Sequence, residues 1–371
     1  MHDHHTHPLF YAAFRQAIDF SDVTELESAC DLICDAADTC NVVLGHSWKD
    51  NFFVFDKELL ERLPPCAIFN ISLHNVAINS KAMELLSCEI GDAIKNLRDR
   101  DWYERNLQRV LNWFALLNGS VDGLVEFYEY LESVGVSSAE EMLLVDGVEI
   151  DWFEEAGLVH RTKFWADPNT WMSLSCDHKR KVHGIKLFTD GAFGARTAAI
   201  SKPYLGVNDN FGMLIYEDSE LAEIVEANSE RGLALAVHAI GDRAIEQTIA
   251  VIERLGVVEK YGEIRIEHAQ AISLQQAKRA KQLGIVLSMQ PNFNIDSLNY
   301  ADRLPVKFVE GNNPFRMLID DVGFKVGEDL IFGSDGMPHG IQFAIEQATN
   351  PPFESQRMSI DELITGYREN N

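Results

Sequence analysis

Short apolar runs alternate with longer amphipathic stretches over the second half of the chain. The amphipathic stretches carry apolar residues at helical spacing and end in glycine: SELAEIVEANSERG, GDRAIEQTIAVIERLG and SLQQAKRAKQLG. The apolar runs around them predict β-strands: GIKLF, LALAVH, IRIEH, IVLSMQ and LIFGSD. Repeated strand and helix units of this length indicate an α/β fold with a parallel sheet, and favour a closed (β/α)8 TIM-like barrel over most open sheets.

The first half of the chain offers five more strand candidates: MHDHHTH, NVVLGHSW, CAIFNISLH, VGVSSAEEML and LVHRTKFW. This makes ten candidates for eight barrel positions. We assign NVVLGHSW and CAIFNISLH to an inserted α+β segment after the first strand, at residues 38–130, because this region also holds a long helical stretch that no simple loop needs. We therefore expect one barrel over residues 1–371 with this segment inserted.

The inserted segment is rich in aromatic side chains, which could form its own core or a lid over the barrel mouth. We favour the core. The cluster contains Trp102, Tyr103, Trp113, Phe114, Phe127, Tyr128 and Tyr130.

Composition narrows the choice of partners. The 371 residues are 46% hydrophobic and carry a formal net charge of -26, which disfavours binding to nucleic acid or to an anionic membrane. No targeting sequence or membrane-spanning run is evident, so we expect a cytoplasmic protein with a small-molecule substrate. Formation of a homo-oligomer stays open. The six cysteines include no C-x-x-C pair and predict buried or inert thiols rather than a disulfide scaffold.

The opening octet MHDHHTHP has three interpretations: a purification tag, a disordered metal-scavenging tail, or the first strand of a metal site. His5 and His7 are two residues apart, and on a strand this spacing sends both side chains to the same side. Pro8 suits a strand end better than a continuing helix. The octet alone does not decide between these interpretations.

Four later strand candidates also end in polar groups that can bind a metal or lie beside one: Lys186 in GIKLFTDG, His238 in LALAVHAIGD, His268 in IRIEHAQ and Asp335 in LIFGSDG. Taken singly, each has a structural alternative, such as a hydrogen-bonded core histidine, a helix-capping aspartate or a lysine that reaches solvent. Because parallel barrel strands all point the same way, their carboxyl ends meet on one face. The sequence therefore predicts a metal site on that face.

At these residues the sequence resembles the amidohydrolase superfamily, in the amidohydrolase 3 branch that includes N-substituted formamide deformylase-like proteins. The resemblance runs from DHHTHP to about SIDELITGY, and is most specific over KLFTDGAFGARTAAISKPY, AVHAIGDRAIE, RIEHAQAI and SMQPNF. LHNVAINSKAM is a further branch-like segment inside the insertion. Members usually carry a small β-sandwich built from segments that flank the barrel. Because neither segment is present in this sequence, we expect no β-sandwich domain.

The resemblance implies a ligand set for one or two divalent metals, most plausibly zinc. His5 and His7 would bind the more buried metal, and His238 and His268 the more exposed one. Lys186 would bridge the two as a carboxylated side chain, whereas an unmodified lysine would leave room for a single metal. Asp335 would complete the site and act as the catalytic proton carrier for a metal-activated hydroxide, since such metals lower the pKa of water to about 7.

Further residues are candidates for the surrounding pocket. The resemblance suggests His74, Arg196 and Gln290 as substrate-binding residues, and a structural hydrogen-bonding role is an equal alternative for each. Asp190 and Asp242 each lie beside a glycine after a strand, which is typical of residues that fix loops.

The leading functional hypothesis is a metal-dependent hydrolase that cleaves a non-peptide C–N bond, in an amide or a formamide. Two alternatives stay open. The same site could cleave lactones or phosphoesters, and the barrel could be a catalytically silent binding protein.

Overall fold

The computed structural model describes residues 1–49, 52–70, 76–90, 100–207, 209–336 and 338–369. The strands in these ranges are, in chain order, β1 (His2–Thr6), β2 (Ile18–Asp19), β3 (Val43–Trp48), β4 (Cys66–Asn70), β5 (Val76–Ile78), β6 (Ser138–Leu144), β7 (Thr162–Ala166), β8 (Val182–Phe188), β9 (Ala234–Ala239), β10 (Ile264–His268), β11 (Val286–Met289) and β12 (Leu330–Phe332).

The α-helices in the same ranges are α1 (Pro8–Arg15), α2 (Leu26–Ala36), α3 (Lys57–Arg62), α4 (Ser80–Ile90), α5 (Arg100–Asn118), α6 (Val121–Ser133), α7 (Gly147–Glu155), α8 (Pro168–Ser173), α9 (Cys176–Lys179), α10 (Asp218–Asn228), α11 (Asp242–Leu255), α12 (Leu274–Gln282), α13 (Asp296–Asn299), α14 (Val306–Gly311), α15 (Ile341–Thr349) and α16 (Ile360–Gly366).

The described chain divides into two compact units. The first comprises residues 1–7, 128–150 and 157 onward, and it is a barrel whose eight strands follow the order β1-β6-β7-β8-β9-β10-β11-β12, all parallel. Hydrogen bonds from the residues that follow β12 link the two ends of this sheet: the Ser334 N–H donates to Asp3 Oδ1 at 2.9 Å and the Asp335 N–H to the His5 carbonyl at 2.7 Å. This is the predicted (β/α)8 architecture.

The barrel strands are the eight candidates that the sequence assigned to it, and the other two candidates, now β3 and β4, form part of the second unit. Two predicted strands start later than expected. LVHRTKFW opens with a 3-10 turn at Val159–Arg161, and the strand of VGVSSAEEML begins at Ser138.

The predicted helices α10, α11 and α12 pack their apolar faces on the outside of the barrel. Ile245 and Ile249 of α11 join strand residues such as Leu235 and Ile266 in a single buried core. Gly256 stops α11 by adopting a left-handed conformation (φ 58°), which glycine does without steric cost.

The second unit comprises residues 8–127 and 151–156. Its four-stranded sheet has the order β2-β3-β4-β5, with only the β4–β5 pair antiparallel. Phe20, Trp48 and Ile68 lie in its core. The predicted insertion at 38–130 falls largely within this unit, which starts at Pro8. Tyr128 and Tyr130, however, belong to the barrel unit. A lid function for the segment stays a prediction.

Among the described residues, no helix combines the length and the apolar character needed to cross a bilayer.

Candidate metal centre

The residues that end the barrel strands form one buried cluster. His5 lies in β1 and His7 directly follows that strand, while His268 ends β10 and Asp335 comes three residues after β12. All three histidines are almost fully buried, and about a quarter of the Asp335 side chain is exposed. These residues are far apart in the sequence. They lie together because the carboxyl ends of parallel barrel strands meet on one face.

Asp335 lies at the centre of this cluster. Its Oδ1 atom is 3.6 Å from His5 Nε2 and 3.4 Å from His7 Nε2, and its Oδ2 atom is 3.9 Å from His268 Nδ1. One nitrogen each of His5 and His7 and one oxygen of Asp335 all lie within 4.8 Å of one another. The His238 and His268 rings continue the cluster, with their centroids 4.5 Å apart.

Hydrogen bonds fix the orientation of three imidazoles. The Nδ1–H of His5 donates to Glu267 Oε2 at 2.5 Å, and the Nδ1 atom of His268 is 2.7 Å from Gln290 Oε1. His238 Nε2 is 3.1 Å from the Gly191 carbonyl oxygen. Each of these oxygens accepts a hydrogen bond from one ring N–H. In a neutral ring the other nitrogen then keeps its lone pair, as in histidines that bind metals.

Electrostatics keep most of these rings neutral. Burial lowers the pKa of His5 and of His238 well below its usual range, and lowers the pKa of His268 to about 3. Burial alone would raise the pKa of Asp335, but the His5 and His7 imidazoles hold it well below its usual range. At pH 7 the cluster therefore offers neutral imidazole nitrogens and an ionised carboxylate, which are the forms that bind a divalent cation.

His7 differs from the other rings. Burial acts to lower its pKa, but hydrogen bonding to the carboxylates of Asp335 and Glu141 raises the pKa above the usual value. A cation bound between His7 and Asp335 would replace the proton that this arrangement otherwise favours.

Lys186 is an orphaned polar group in the barrel interior. It is 1% exposed, and its Nζ atom has no hydrogen-bond partner among the described residues. Burial lowers its pKa to about 8, and the carboxylates of Glu267 and Asp335 oppose the shift. Burying an amine without a hydrogen-bond partner costs free energy. Lys186 is therefore suited to a site that binds a further group.

The backbone is strained at two residues of the cluster. His268 and Asp335 have φ values of 72° and 56°, in the left-handed region that non-glycine residues rarely adopt. Strain of this kind concentrates at functional sites. The positive φ of His268 comes at the last residue of β10. Glu267 and His268 therefore both contact the cluster, although they are neighbours in the sequence.

The three residues predicted to line the pocket lie in different surroundings. Gln290 is buried and contacts His268. Arg196 lies in the loop after β8 with φ 59°. Its positive charge acts to lower the pKa values of Tyr204 and Asp302. His74 lies outside the described residues.

The two loop aspartates are structural in the way that the sequence predicts. Asp190 accepts three backbone N–H groups, from Ala199, Ile240 and Gly241. Asp242 accepts both the N–H and the hydroxyl of Ser201.

Sequence reasoning missed Glu267 and Asp3, which support the cluster. Asp3 accepts hydrogen bonds from the His5 N–H and from the N–H and hydroxyl of Ser334. A signal was present for Glu267, since a carboxylate inside the apolar run IRIEH needs a buried partner.

The fold and the cluster together define a class of protein: a (β/α)8 barrel with a metal-competent site at the carboxyl ends of its strands. A sequence model of the Amidohydrolase family (Amidohydro_3) matches residues 1–346. The chain belongs to the Amidohydrolase family.

Individual relatives match over shorter stretches. The Bacillus subtilis (strain 168) protein YtcJ, named as an amidohydrolase, is 35% identical over 109 residues, which is 29% of this chain and 20% of YtcJ. The Arabidopsis thaliana protein LONG AFTER FAR-RED 3 is 33% identical over 195 residues, 49% of this chain and 33% of the plant protein. The matches thus span a third or less of the length of these relatives.

Two solved structures share the fold over nearly the whole chain. An uncharacterized metal-dependent hydrolase from Pyrococcus horikoshii OT3 has a TM-score of 0.78 at 24% identity, covering 99% of this chain and 79% of the other. An uncharacterized metal-dependent hydrolase from Pyrococcus furiosus has a TM-score of 0.76 at 23% identity, covering 98% and 80%.

Proposed function

We propose that this protein is a metal-dependent hydrolase that cleaves a non-peptide C–N bond, in an amide or formamide of a small molecule. The observation that carries the proposal is the buried cluster of neutral imidazoles around the Asp335 carboxylate. Membership of the Amidohydrolase family supports it. The names of the two Pyrococcus structures, which describe metal-dependent hydrolases, agree with it.

The chemistry of the donor set fits one or two divalent cations, and zinc in particular. Imidazole nitrogen and carboxylate oxygen are ligands that zinc takes in catalytic sites. His5, His7, His238, His268 and Asp335 would hold the cations. When bound, such a cation lowers the pKa of water to about 7 and polarises a carbonyl oxygen.

Lys186 would contribute as a carbamate that bridges two cations. A carbamate forms when the neutral amine adds to carbon dioxide and one N–H proton is released; its two oxygens share one negative charge, whereas an ammonium has no lone pair. Burial lowers the pKa of Lys186 to about 8, which makes the neutral amine accessible near neutral pH. Burial thus prepares this amine for carboxylation, whereas an exposed lysine with a pKa near 10.4 would stay almost fully protonated.

Asp335 would carry protons during the reaction. Its carboxylate is ionised and is the most exposed group of the cluster, so it can face both substrate and solvent. It would accept the proton of the attacking water and give it to the departing nitrogen. The rings of Phe188 and Phe293, which lie 5.1 Å from His238 and 6.2 Å from His268 between ring centroids, would limit access of bulk water.

A panel of substrates tests the proposal. Zinc-loaded protein should turn over members of a set of formamides and N-substituted amides, and the Asp335→Asn variant should not. Turnover of lactones or phosphotriesters alone would overturn the C–N assignment. Retention of less than one zinc per chain, with no turnover of any class, would favour a catalytically silent binding protein.

A further inference from the structure

A second cluster of potential ligands lies at the amino end of the barrel strands. We call His2, His4 and Glu140 the basal cluster. The Glu140 Oε1 atom is 3.1 Å from His2 Nε2 and 3.2 Å from His4 Nδ1, and the three atoms lie within 4.8 Å of one another. Each of the three residues is 2% exposed or less. We propose that the basal cluster binds a structural divalent cation of the zinc type, separate from the candidate metal centre.

The first argument concerns the protons of the two imidazoles. His4 Nε2 is 2.9 Å from the carbonyl oxygen of Arg368, which can only accept, so this nitrogen carries a proton. The other nitrogen, Nδ1, faces Glu140 Oε1 at 3.2 Å. This separation suits two ligands of one zinc ion, because zinc lies about 2 Å from each of its nitrogen and oxygen ligands.

His2 is arranged in a similar way. Its Nδ1 atom is 2.8 Å from Ser138 Oγ, which can accept a hydrogen bond from the ring Nδ1–H, and its Nε2 atom faces Glu140. In both histidines, the ring nitrogen that points away from Glu140 therefore lies beside an oxygen that can accept its hydrogen bond. This is the outer arrangement that metal-binding histidines usually have.

The second argument concerns crowding at one oxygen atom. Glu140 Oε1 is within 3.2 Å of three nitrogens, those of His2 and His4 and the Nη2 of Arg265. A carboxylate oxygen has two lone pairs in its plane. Arg265 takes one, and a single cation coordinated by both imidazoles would take the other. The opposite oxygen, Oε2, accepts from Trp165 Nε1 and Arg265 Nη1.

The charge around the basal cluster is compatible with a cation. Arg265 compensates Glu140 and also lies 3.0 Å from the carboxylate of Glu263. The carboxylates of Glu140 and Glu263 thus share one guanidinium, and the two imidazoles place further ligand nitrogens beside Glu140. Two imidazoles and one carboxylate are a ligand set that zinc occupies in proteins.

Metal stoichiometry tests this proposal in the full-length chain. Metal-free protein is reloaded with Zn²⁺, desalted and analysed for bound zinc. His2→Gln and His4→Gln should each bind one zinc fewer than the wild type. His183→Gln is the matched control, because His183 packs beside Trp165 at the same end of the barrel but is not part of the cluster; its zinc content should equal that of the wild type.

Comparison with the candidate metal centre separates this proposal from the proposed function. His4→Gln should lower the zinc content by one ion per chain in the wild type, and by the same amount in a His268→Asn background. Unchanged zinc content in both His2→Gln and His4→Gln would overturn the proposal and indicate that the cluster shares a proton instead. If these variants do not fold, anomalous diffraction from zinc-soaked wild-type crystals decides: a peak between His2, His4 and Glu140 supports the proposal, and none there refutes it.

Discussion

The opening segment, residues 2–7, contains two pairs of histidines with the same spacing but different surroundings. His2 and His4 face the Glu140 carboxylate, which is paired with Arg265, whereas His5 and His7 face Asp335, whose side chain is partly open to solvent. A shift of register between Asp3 and Thr6 allows both pairs to reach charged groups of the barrel. Regular alternation would have separated the pairs onto opposite faces.

This difference indicates how the barrel divides its tasks. At the amino end, Glu140 forms an ion pair with Arg265 and accepts a hydrogen bond from the indole N–H of Trp165. The other end keeps an orphaned Lys186 and two strained residues. Satisfied polar networks favour rigidity, and unsatisfied or strained groups favour function.

The largest expected effect is at the carboxyl end. Asp335→Asn should lower kcat roughly 10³-fold, because a positioned proton carrier contributes on that scale, while zinc content stays close to that of the wild type. Steady-state kinetics together with metal analysis measure both quantities. Asp177→Asn, at an exposed position far along the chain, is the control and should have normal kcat. Full turnover by Asp335→Asn would remove it as the proton carrier.

At the amino end of the barrel strands, we expect a substitution to change the free energy of unfolding. Arg265→Met leaves the buried carboxylate of Glu140 without its counter-charge and should lower the free energy of unfolding by about 3–5 kcal/mol, as measured by urea denaturation. Arg357→Met breaks an exposed pair with Glu354, where solvent screens the charges, and should leave the free energy of unfolding almost unchanged. Equal losses in the two variants would contradict the contrast between a buried and an exposed pair.

Asp3 lies between the two histidine pairs and links stability to pH. Burial raises its pKa from 3.8 to about 6, so the folded protein keeps a proton that the unfolded chain releases between these values. The contribution of Asp3 to stability therefore falls as the pH rises from about 4 to about 6, by up to about 3 kcal/mol.

The Asp3→Asn variant should lack this dependence, because asparagine keeps an oxygen for the N–H groups of His5 and Ser334 but does not titrate. Urea denaturation at pH 4, 5, 6 and 7 gives the difference between variant and wild type. That difference should move in favour of the variant as the pH rises. A constant difference across this range would show that Asp3 has the same pKa in the folded and unfolded states.

The sequence predicted the barrel well and the site only in part. Apolar runs bounded by glycines specify strands and helices locally, so all eight barrel strands could be located, and the convergence of His5, His268 and Asp335 followed from the parallel topology. The contacts of Glu140 could not be predicted, since they depend on the register shift in β1 and on strands that are distant in sequence. The same holds for Glu267, whose contact with His5 crosses between strands that are not neighbours in the sheet.

The smallest expected effect concerns Glu267, which orients His5. Glu267→Gln keeps the size of the side chain but weakens the bond to the His5 Nδ1–H, and outer partners of this kind change metal affinity by about 10- to 100-fold. We expect weaker zinc binding at the candidate metal centre, measured by competition with a chelator, with kcat restored at saturating zinc. Zinc bound at the basal cluster should keep its affinity, because Glu267 makes no described contact with His2 or His4. A loss of affinity at both sites would mean that the two ends of the barrel are coupled through β1 rather than independent.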